Sequence, residues 1–419
     1  MGNSESIRGE RQLSLLPNDN TQPQTVEPLN IFTEEIVSSR LAVYRKTTGE
    51  FWTERQRQMH SLHYVVSYRA SFKPELPEYF ISRYSQPGDV VLDPFSGRGT
   101  TALQANLMDR TAFCSDVNPM AMRIARPKCS PVSVQEVARE LDRIPLDPDT
   151  PVADEERFAP FYHPRTFREL TGLRTYLQNT DSDAARFIEM VALSRLHGHS
   201  SGFFSVYSFP QISVPLENQT KINERRKQAP EYRPIRERIL RKAANSLKSG
   251  RLAEIRAASQ ANRYEICDAR SLSFPDECAD LIVTSPPFLN KADYILDNWL
   301  ELWFLGIDEE QVRQAVVQTN SLKKWKEFMR AAIMEMGRVL KPSGTAVIEV
   351  GEVDVKSETV NLDEVIVEIV AGLRLKGCPL DVKEVLIHLQ NFTKLANCFK
   401  VDNNTKGTNT HRLIVLHRQ

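Results

Sequence analysis

Short apolar runs, separated by stretches with helical spacing, set the frame of this chain. Residues 89–93, Asp-Val-Val-Leu-Asp, form one such run between a Pro-Gly pair and a glycine-rich turn. Residues 101–108 then read as a helix and 111–116 as a second strand. After a long interruption the strand pattern returns at 264–267, 281–284, 345–350, 385–389 and 413–416. Short apolar strands alternating with helices predict an α/β fold with a mostly parallel, doubly wound sheet.

The rest of the chain divides around that pattern. Residues 1 to about 30 are polar, rich in Asn, Gln and Pro, and have little to bury, so residues 1–50 are expected to form a mobile tail and lead-in. Residues 51–122 and 263–419 supply the two parts of the sheet domain. Between them, 123–262 carries Pro-rich connectors (Pro145, Pro148, Pro160, Pro164) and helical patterns at 184–196 and 234–257. This is the signature of a largely helical insertion.

Candidate chemistry begins where the first strand ends. Gly97-Arg98-Gly99 lies between a strand and a helix, where glycines let the backbone approach a ligand and free N–H groups attract polar or negative atoms. Many tight strand-to-helix turns carry such a pair, but two acids sharpen the reading. Asp93 stands at the carboxyl end of the first strand, where ligands bind in open α/β sheets. Asp116 ends the second strand 23 residues later, about where a ribose-binding acid belongs. The alternative makes both acids helix caps. There is no third glycine in step and no G-x-x-x-x-G-K-[ST], so a nucleoside without a pyrophosphate fits better, and S-adenosylmethionine is the common one.

A second oddity closes the fourth strand. The run Leu281-Ile282-Val283 stops in Thr284-Ser285-Pro286-Pro287-Phe288, and neither proline has an N–H for a ladder. With "DPFSGRGTT" (93–101), this "TSPPF" resembles the S-adenosylmethionine-dependent amino-methyltransferases of DNA, which methylate cytosine N4 or adenine N6. The resemblance covers about 72–122 and 262–419. It implies a Rossmann-like methyltransferase sheet of about seven strands, one antiparallel near the end. It also implies a cofactor site built from Phe95, Ser96, Gly97, Gly99, Thr100 and Thr101 beside Asp93. Phe72 and Pro74 belong to "FKPELPEYFISRYSQPGD", similar to the family helix that closes over the methionine end. "SDVNPMA" is similar to the ribose loop, with Asp116 and Asn118, and "CDARSL" brings Asp268 to the adenine ring. "GRVLKPSGTAVIEVGE" resembles the helix, turn and fifth strand of such enzymes.

The proline pair then acquires a purpose. An exocyclic amine is a poor nucleophile because its lone pair is delocalised into the ring. Acceptors that hold both N–H protons favour the pyramidal, reactive form. The Ser285 hydroxyl and the carbonyl before or between Pro286 and Pro287 are suited to this, and the prolines aim them beforehand. Phe288 is placed to stack on a base turned out of the duplex. A Ser at the first position resembles the cytosine N4 group, whereas Asp or Asn marks the adenine N6 pattern. No Pro-Cys pair exists for C5 chemistry. The implied partners are duplex DNA and, in a restriction–modification system, a cognate endonuclease. Adenine N6 methylation, an RNA base amine and a non-catalytic nucleic-acid binder are the alternatives. The cofactor motif precedes Ser-Pro-Pro-Phe with the insertion between them, whereas many cytosine N4 enzymes have the reverse order.

Charge adds a location. Lys plus Arg and Asp plus Glu are both 54, so the net charge is zero, yet 221–251 holds eleven Lys and Arg against three Glu. Arg225, Arg226, Lys227, Arg233 and Arg236 are the expected phosphate contacts; a solvated helix face is the alternative. The insertion is thus the candidate target reader, and its deletion is expected to abolish DNA binding while cofactor binding survives. His197 and His199 form a weak metal pattern, and a packed turn or a DNA-facing loop suits them better. Phe203, Phe204, Tyr207 and Phe209 read as core before stacking platforms. The 390–409 loop could lie beside the target base. Six cysteines without a C-x-x-C pair fit a reducing compartment, and no leader or apolar run near 18 residues is present. A soluble cytoplasmic protein is expected, with no metal.

Overall fold

The computed structural model describes residues 28–38, 42–52, 59–68, 71–209, 212–287, 289, 293–355, 358–389 and 410–419. Two strands open it, β1 (Asn30–Ser38) and β2 (Val43–Glu50), followed by α1 (Glu75–Tyr84), β3 (Val90–Asp93), α2 (Thr100–Leu107), β4 (Thr111–Asp116) and α3 (Pro119–Cys129). The helices α4 (Val134–Leu141), α5 (Glu155–Phe158), α6 (Pro164–Gln178), α7 (Asp183–Leu193), α8 (Leu216–Arg226), α9 (Ile235–Ser246) and α10 (Leu252–Ala258) fill the insertion. The chain returns through β5 (Arg263–Ile266), β6 (Ala279–Thr284), α11 (Trp299–Leu305), α12 (Glu309–Ala315), α13 (Leu322–Val339) and β7 (Leu340–Val350). It finishes with β8 (Glu352–Val355), β9 (Glu358–Asn361), α14 (Leu362–Arg374), β10 (Leu380–Leu389) and β11 (Thr410–Arg418).

One sheet of nine strands runs in the order β1-β2-β10-β11-β7-β6-β3-β4-β5, with β8 and β9 paired separately. Seven of the nine occupy the expected strand positions, and β11 is antiparallel to both of its neighbours. The other two correct an expectation. Residues 30–50 are not a lead-in tail: β1 and β2 form a hairpin, and β2 joins β10 in parallel. Their signal is weak because β1 is almost wholly exposed and β2 buries Tyr44 and Thr47 in place of aliphatic residues. The expected mobility of residues 1–27 lies outside the described residues.

Strand alternation divides the core in two. Val91, Leu281, Val283, Val347, Leu413 and Val415 point to one face. Leu92, Ile282, Ala346, Ile348, Ile414 and Leu416 point to the other. Burial on both faces is why these strands read as continuous apolar runs. Helix α13 covers the second face with Trp325, Phe328, Met329, Ala332, Ile333 and Met336, a stripe at three- and four-residue spacing. The first face is covered partly by the insertion itself. Phe158, Phe161, Phe167, Phe187 and Phe204 belong to the same continuous core as Val91 and Leu281. Phe158 also stacks on Phe167, with ring centres 4.9 Å apart, and lies 4.4 Å from Trp303 of α11. The helices are where the pattern predicts them, except that the 234–257 stretch breaks into α9 and α10 at Gly250 and Arg251, both with positive φ. Among the described residues no helix is long and apolar enough to cross a membrane.

Candidate active site

Strands β3 and β6 are direct neighbours, with Val91 opposite Leu281 and Leu92 opposite Ile282, so their carboxyl ends lie side by side. Side chains then fasten the two ends together. Thr284 Oγ1 donates to Asp93 Oδ1 at 2.6 Å, and Thr101 Oγ1 donates to the Val283 carbonyl at 3.1 Å. Phe95 N–H also donates to Asp93 Oδ1, at 3.1 Å. Burial pushes the Asp93 carboxyl up to about 6, although the hydrogen bonds from Thr284 and Phe95 oppose the shift.

The turn after β3 is shaped by two left-handed glycines, Gly97 (φ 48°) and Gly99 (φ 69°). Gly99 caps α2 and faces α3 so closely that an added Cβ would stand 2.7 Å from Ala125 Cβ. Gly97 N–H donates to Asp116 Oδ2 and Asn118 N–H to Asp116 Oδ1, each at 2.9 Å. Burial raises the Asp116 pKa while these backbone donors pull it back. Arg98, between the glycines, donates to the Phe72 carbonyl at 2.9 Å and to Thr100 Oγ1 at 3.1 Å. Lys128 Nζ donates to the Arg98 carbonyl. The segment around Phe72 is thereby held over the glycine turn.

A single pocket results, lined by Phe72, Phe95, Ser96, Gly97, Thr100, Asp116, Asn118 and Asp268 together with Ser285 and Pro287. Tyr68 and Tyr294 stack across one wall with ring centres 6.4 Å apart, and Phe95 meets Phe328 at 5.8 Å on another. Ser96 Oγ and Asn118 Nδ2 are buried there without a hydrogen bond of ordinary length among the described residues. Aromatic walls, a carboxylate at the end of β4, orphaned polar atoms and a glycine turn suit a nucleoside carrying a flexible polar tail. At the rim, Asp268 is gripped by Arg270, Nη2 to Oδ2 at 2.6 Å. Burial works against ionisation of Asp268, but the Arg270 contacts outweigh it and its pKa is lowered.

Not every expected site residue reaches the pocket wall. Asp93 and Thr101 lie beneath it as ties between strands, Gly99 serves helix packing, and Pro74 stands at the start of α1. Pro286 is buried behind the lining, and Phe288 lies outside the described residues. Ser285 Oγ donates to Glu349 Oε2 at 2.5 Å, and Glu349 Oε1 meets His411 Nδ1 at 3.1 Å. The Pro287 carbonyl is already taken by Trp325 Nε1 at 2.9 Å. Further along the same sheet edge, Trp52 stacks on His388 with centres 4.0 Å apart, and His388 Nδ1 accepts from Phe51 N–H at 3.2 Å.

Glu349, His411, Arg98, Tyr68 and Tyr294 escape a motif reading. Glu349 had one signal, a carboxylate inside the apolar strand Ala346-Val-Ile-Glu-Val350. Tyr68 and Tyr294 had none.

The basic run separates into different roles. Arg225, Arg226 and Lys227 are exposed, with the Arg226 guanidinium 3.7 Å over the Tyr207 ring. Arg233 is not a phosphate contact. It is buried, pairs with Glu231 at 2.9 Å and donates to the carbonyls of Ser200, Phe203 and Ser205. Arg236 is held by Asp142 at 2.5 Å. His197 is a packed residue with both ring nitrogens engaged, by Glu301 at 2.9 Å and the Phe209 carbonyl at 2.7 Å. Burial lowers its pKa, but these partners outweigh that and the net shift is upward. Phe203 and Phe204 are core, whereas Phe209 is exposed. The 390–409 loop lies outside the described residues.

Comparison with known proteins supplies the context. The model of the N6/N4 methyltransferase family, described as DNA methylase, matches residues 11–127 and 279–418. The Type II methyltransferase M.BsoBI of Geobacillus stearothermophilus is 21% identical over 308 residues, which are 66% of this chain and 60% of that protein. The Type II methyltransferase M.MjaII of Methanocaldococcus jannaschii is 34% identical over 88 residues, 21% of this chain and 16% of that one. The chain therefore spans less than two thirds of either relative. The structure of a SAM-dependent methyltransferase from Methanosarcina mazei matches 80% of this chain and 94% of its own at 10% identity, with a TM-score of 0.30.

Proposed function

The chain belongs to the N6/N4 DNA methylase family, and from that premise we propose that it transfers a methyl group from S-adenosylmethionine to the exocyclic N4 amine of a cytosine extruded from duplex DNA. The observation that carries this reading is the shared pocket, which Ser285 and Pro287 line together with the Gly97 turn. Phe72, Ser96, Gly97, Asp116, Asn118 and Asp268 would hold the donor; Asp116 would take its ribose. When bound, it supplies an electrophilic sulfonium methyl.

The chain's own part is to prepare the amine. Because the Ser285 hydroxyl gives its hydrogen to Glu349, its oxygen is left as an acceptor toward the base. The Pro287 carbonyl is occupied by Trp325, which leaves the Ser285 and Pro286 carbonyls for the second N–H. Two fixed acceptors favour pyramidal nitrogen, and holding it in line with the methyl supplies much of the remaining acceleration. The serine at 285, in place of Asp or Asn, supports cytosine N4 over adenine N6. Arg225, Arg226 and Lys227, exposed at the end of α8, keep the role of phosphate contacts in this reading; Arg233 and Arg236 do not. A cognate endonuclease and a cytoplasmic setting complete the proposal. Expression in a methylation-free host, followed by sequencing that maps modified bases, tests it. N4-methylcytosine at a defined site is the expected result. N6-methyladenine would replace the cytosine assignment, and unmodified DNA would defeat the reading.

A further inference from the structure

A second concavity, of about 770 Å³, lies between the insertion and the 59–67 segment. It abuts the pocket just described: Ser67 lines the cleft and Tyr68, the next residue, lines the pocket. Its wall carries Arg195, Lys242 and Lys248 against one carboxylate, Glu301, which is engaged by His197 at 2.9 Å. Ser61, Ser194, Ser200, Ser246 and Ser249 share this lining, the hydroxyls of Ser61, Ser194 and Ser246 being spent on the carbonyls of Ser246, Val191 and Lys242.

Arg195 is the informative member. It is half-buried, its guanidinium lies 4.0 Å over the Phe203 ring, and its Nε donates to the Ser194 carbonyl at 2.6 Å. No carboxylate pairs with it among the described residues. Burial alone draws its pKa down to about 10. Desolvating a cation without an anion is unfavourable, and folded chains normally supply the missing charge themselves, as Glu189 does for Arg123. Here the Phe203 ring and the Ser194 carbonyl take its place, and an anion entering the cleft would complete the pairing.

We propose that this cleft seats the DNA backbone next to the extruded nucleotide, with a phosphate paired to Arg195 and a neighbouring one to Lys248. The proposal rests on the methyltransferase reading and adds to the exposed cations of α8 a second electrostatic anchor in the cleft. Phosphodiester oxygens match the cations, which are groups that fix register on DNA without reading sequence. Lys242 is partly committed to the Tyr64 carbonyl at 3.1 Å and acts in support.

The test measures binding of a fluorescein-labelled mixed-sequence duplex across a salt series, for the full chain and for Arg195→Gln and Lys248→Gln. Each variant is expected to bind roughly tenfold more weakly at 0.1 M salt, with the slope of log K against log salt reduced by about 1. Affinity for S-adenosylmethionine, read by calorimetry, should hold. Arg195→Lys should recover part of the loss. Lys248 is exposed, so that variant decides the matter if Arg195→Gln does not fold. Unchanged slopes in a protein whose wild type methylates DNA overturn the cleft and leave the methyltransferase reading intact. A wild type that modifies RNA alone, or nothing, overturns both.

Discussion

Ser285 has one hydrogen to give and gives it to Glu349, and this fixes what the residue can do. In the proposed mechanism it acts as an acceptor, so removing the oxygen would remove one of two points that hold the amine. Ser285→Ala is expected to lower the rate of methyl transfer by about 10²- to 10³-fold, the cost of losing one preorganised polar group. Cofactor affinity should be nearly unchanged. Tritiated methyl transfer alongside calorimetric binding distinguishes the two, and full activity in the variant would exclude the role. Asp93 makes a different prediction. Its folded pKa of about 6 exceeds the ordinary carboxylate value of 3.8, so between those pH values the native state retains a proton the unfolded state has lost. Stability from this group therefore falls as pH rises through that window, by up to about 3 kcal/mol in all. Asp93→Asn should raise the melting temperature at pH 8 and change it little at pH 4. Both residues were legible in the sequence, because Ser-Pro-Pro and Asp-Pro-Phe-Ser-Gly are local patterns. Glu349 and His411 were not, since strand pairing brings them to Ser285 from 64 and 126 residues away.

Elements show where side-chain size matters more than chemistry. The α2–α3 contact depends on the absent side chain of Gly99, whose φ of 69° would itself strain any other residue. Gly99→Ala is expected to cost about 1–3 kcal/mol and to weaken cofactor binding with it, because the turn that faces the pocket must shift. Thermal melts with and without S-adenosylmethionine report both effects. At the other end of the sheet the hairpin β1–β2 is secured by His388, whose pKa is held down to about 3 by burial, then by His411 and Lys73. A depressed pKa contributes stability that is present above 6.5 and lost as pH falls toward 3. His388→Gln keeps an acceptor for the Phe51 N–H and removes the titration, so its melting temperature should fall less steeply over that range than the wild type's. The seven strands from β10 to β5 in the sheet were readable from apolar runs alone. The hairpin was not, because an exposed edge strand pairs through its backbone and carries little hydrophobic pattern.

Across the whole molecule, the insertion and the sheet domain cannot be treated as separable parts. A reading from sequence makes 123–262 an added module whose removal spares the cofactor site. The shared core reverses that expectation: deleting the insertion would strip the packing of α3 from β4 and β5 and of α10 from α2, leaving part of one continuous apolar core uncovered. The truncated chain should therefore fail to give a cooperative melting transition, and the intact chain should show one. A folded, cofactor-binding truncate would refute the single-core account. Composition could not reveal this, since helices that pack on one another and helices that pack on a sheet share the same periodicity. The N-terminal hairpin carries the point to the catalytic rim. Through Trp52 and His388 the chain just after the β1–β2 hairpin packs against His411, the imidazole that touches Glu349, so trimming the gene back to its recognisable motifs would remove the support behind Ser285's own partner.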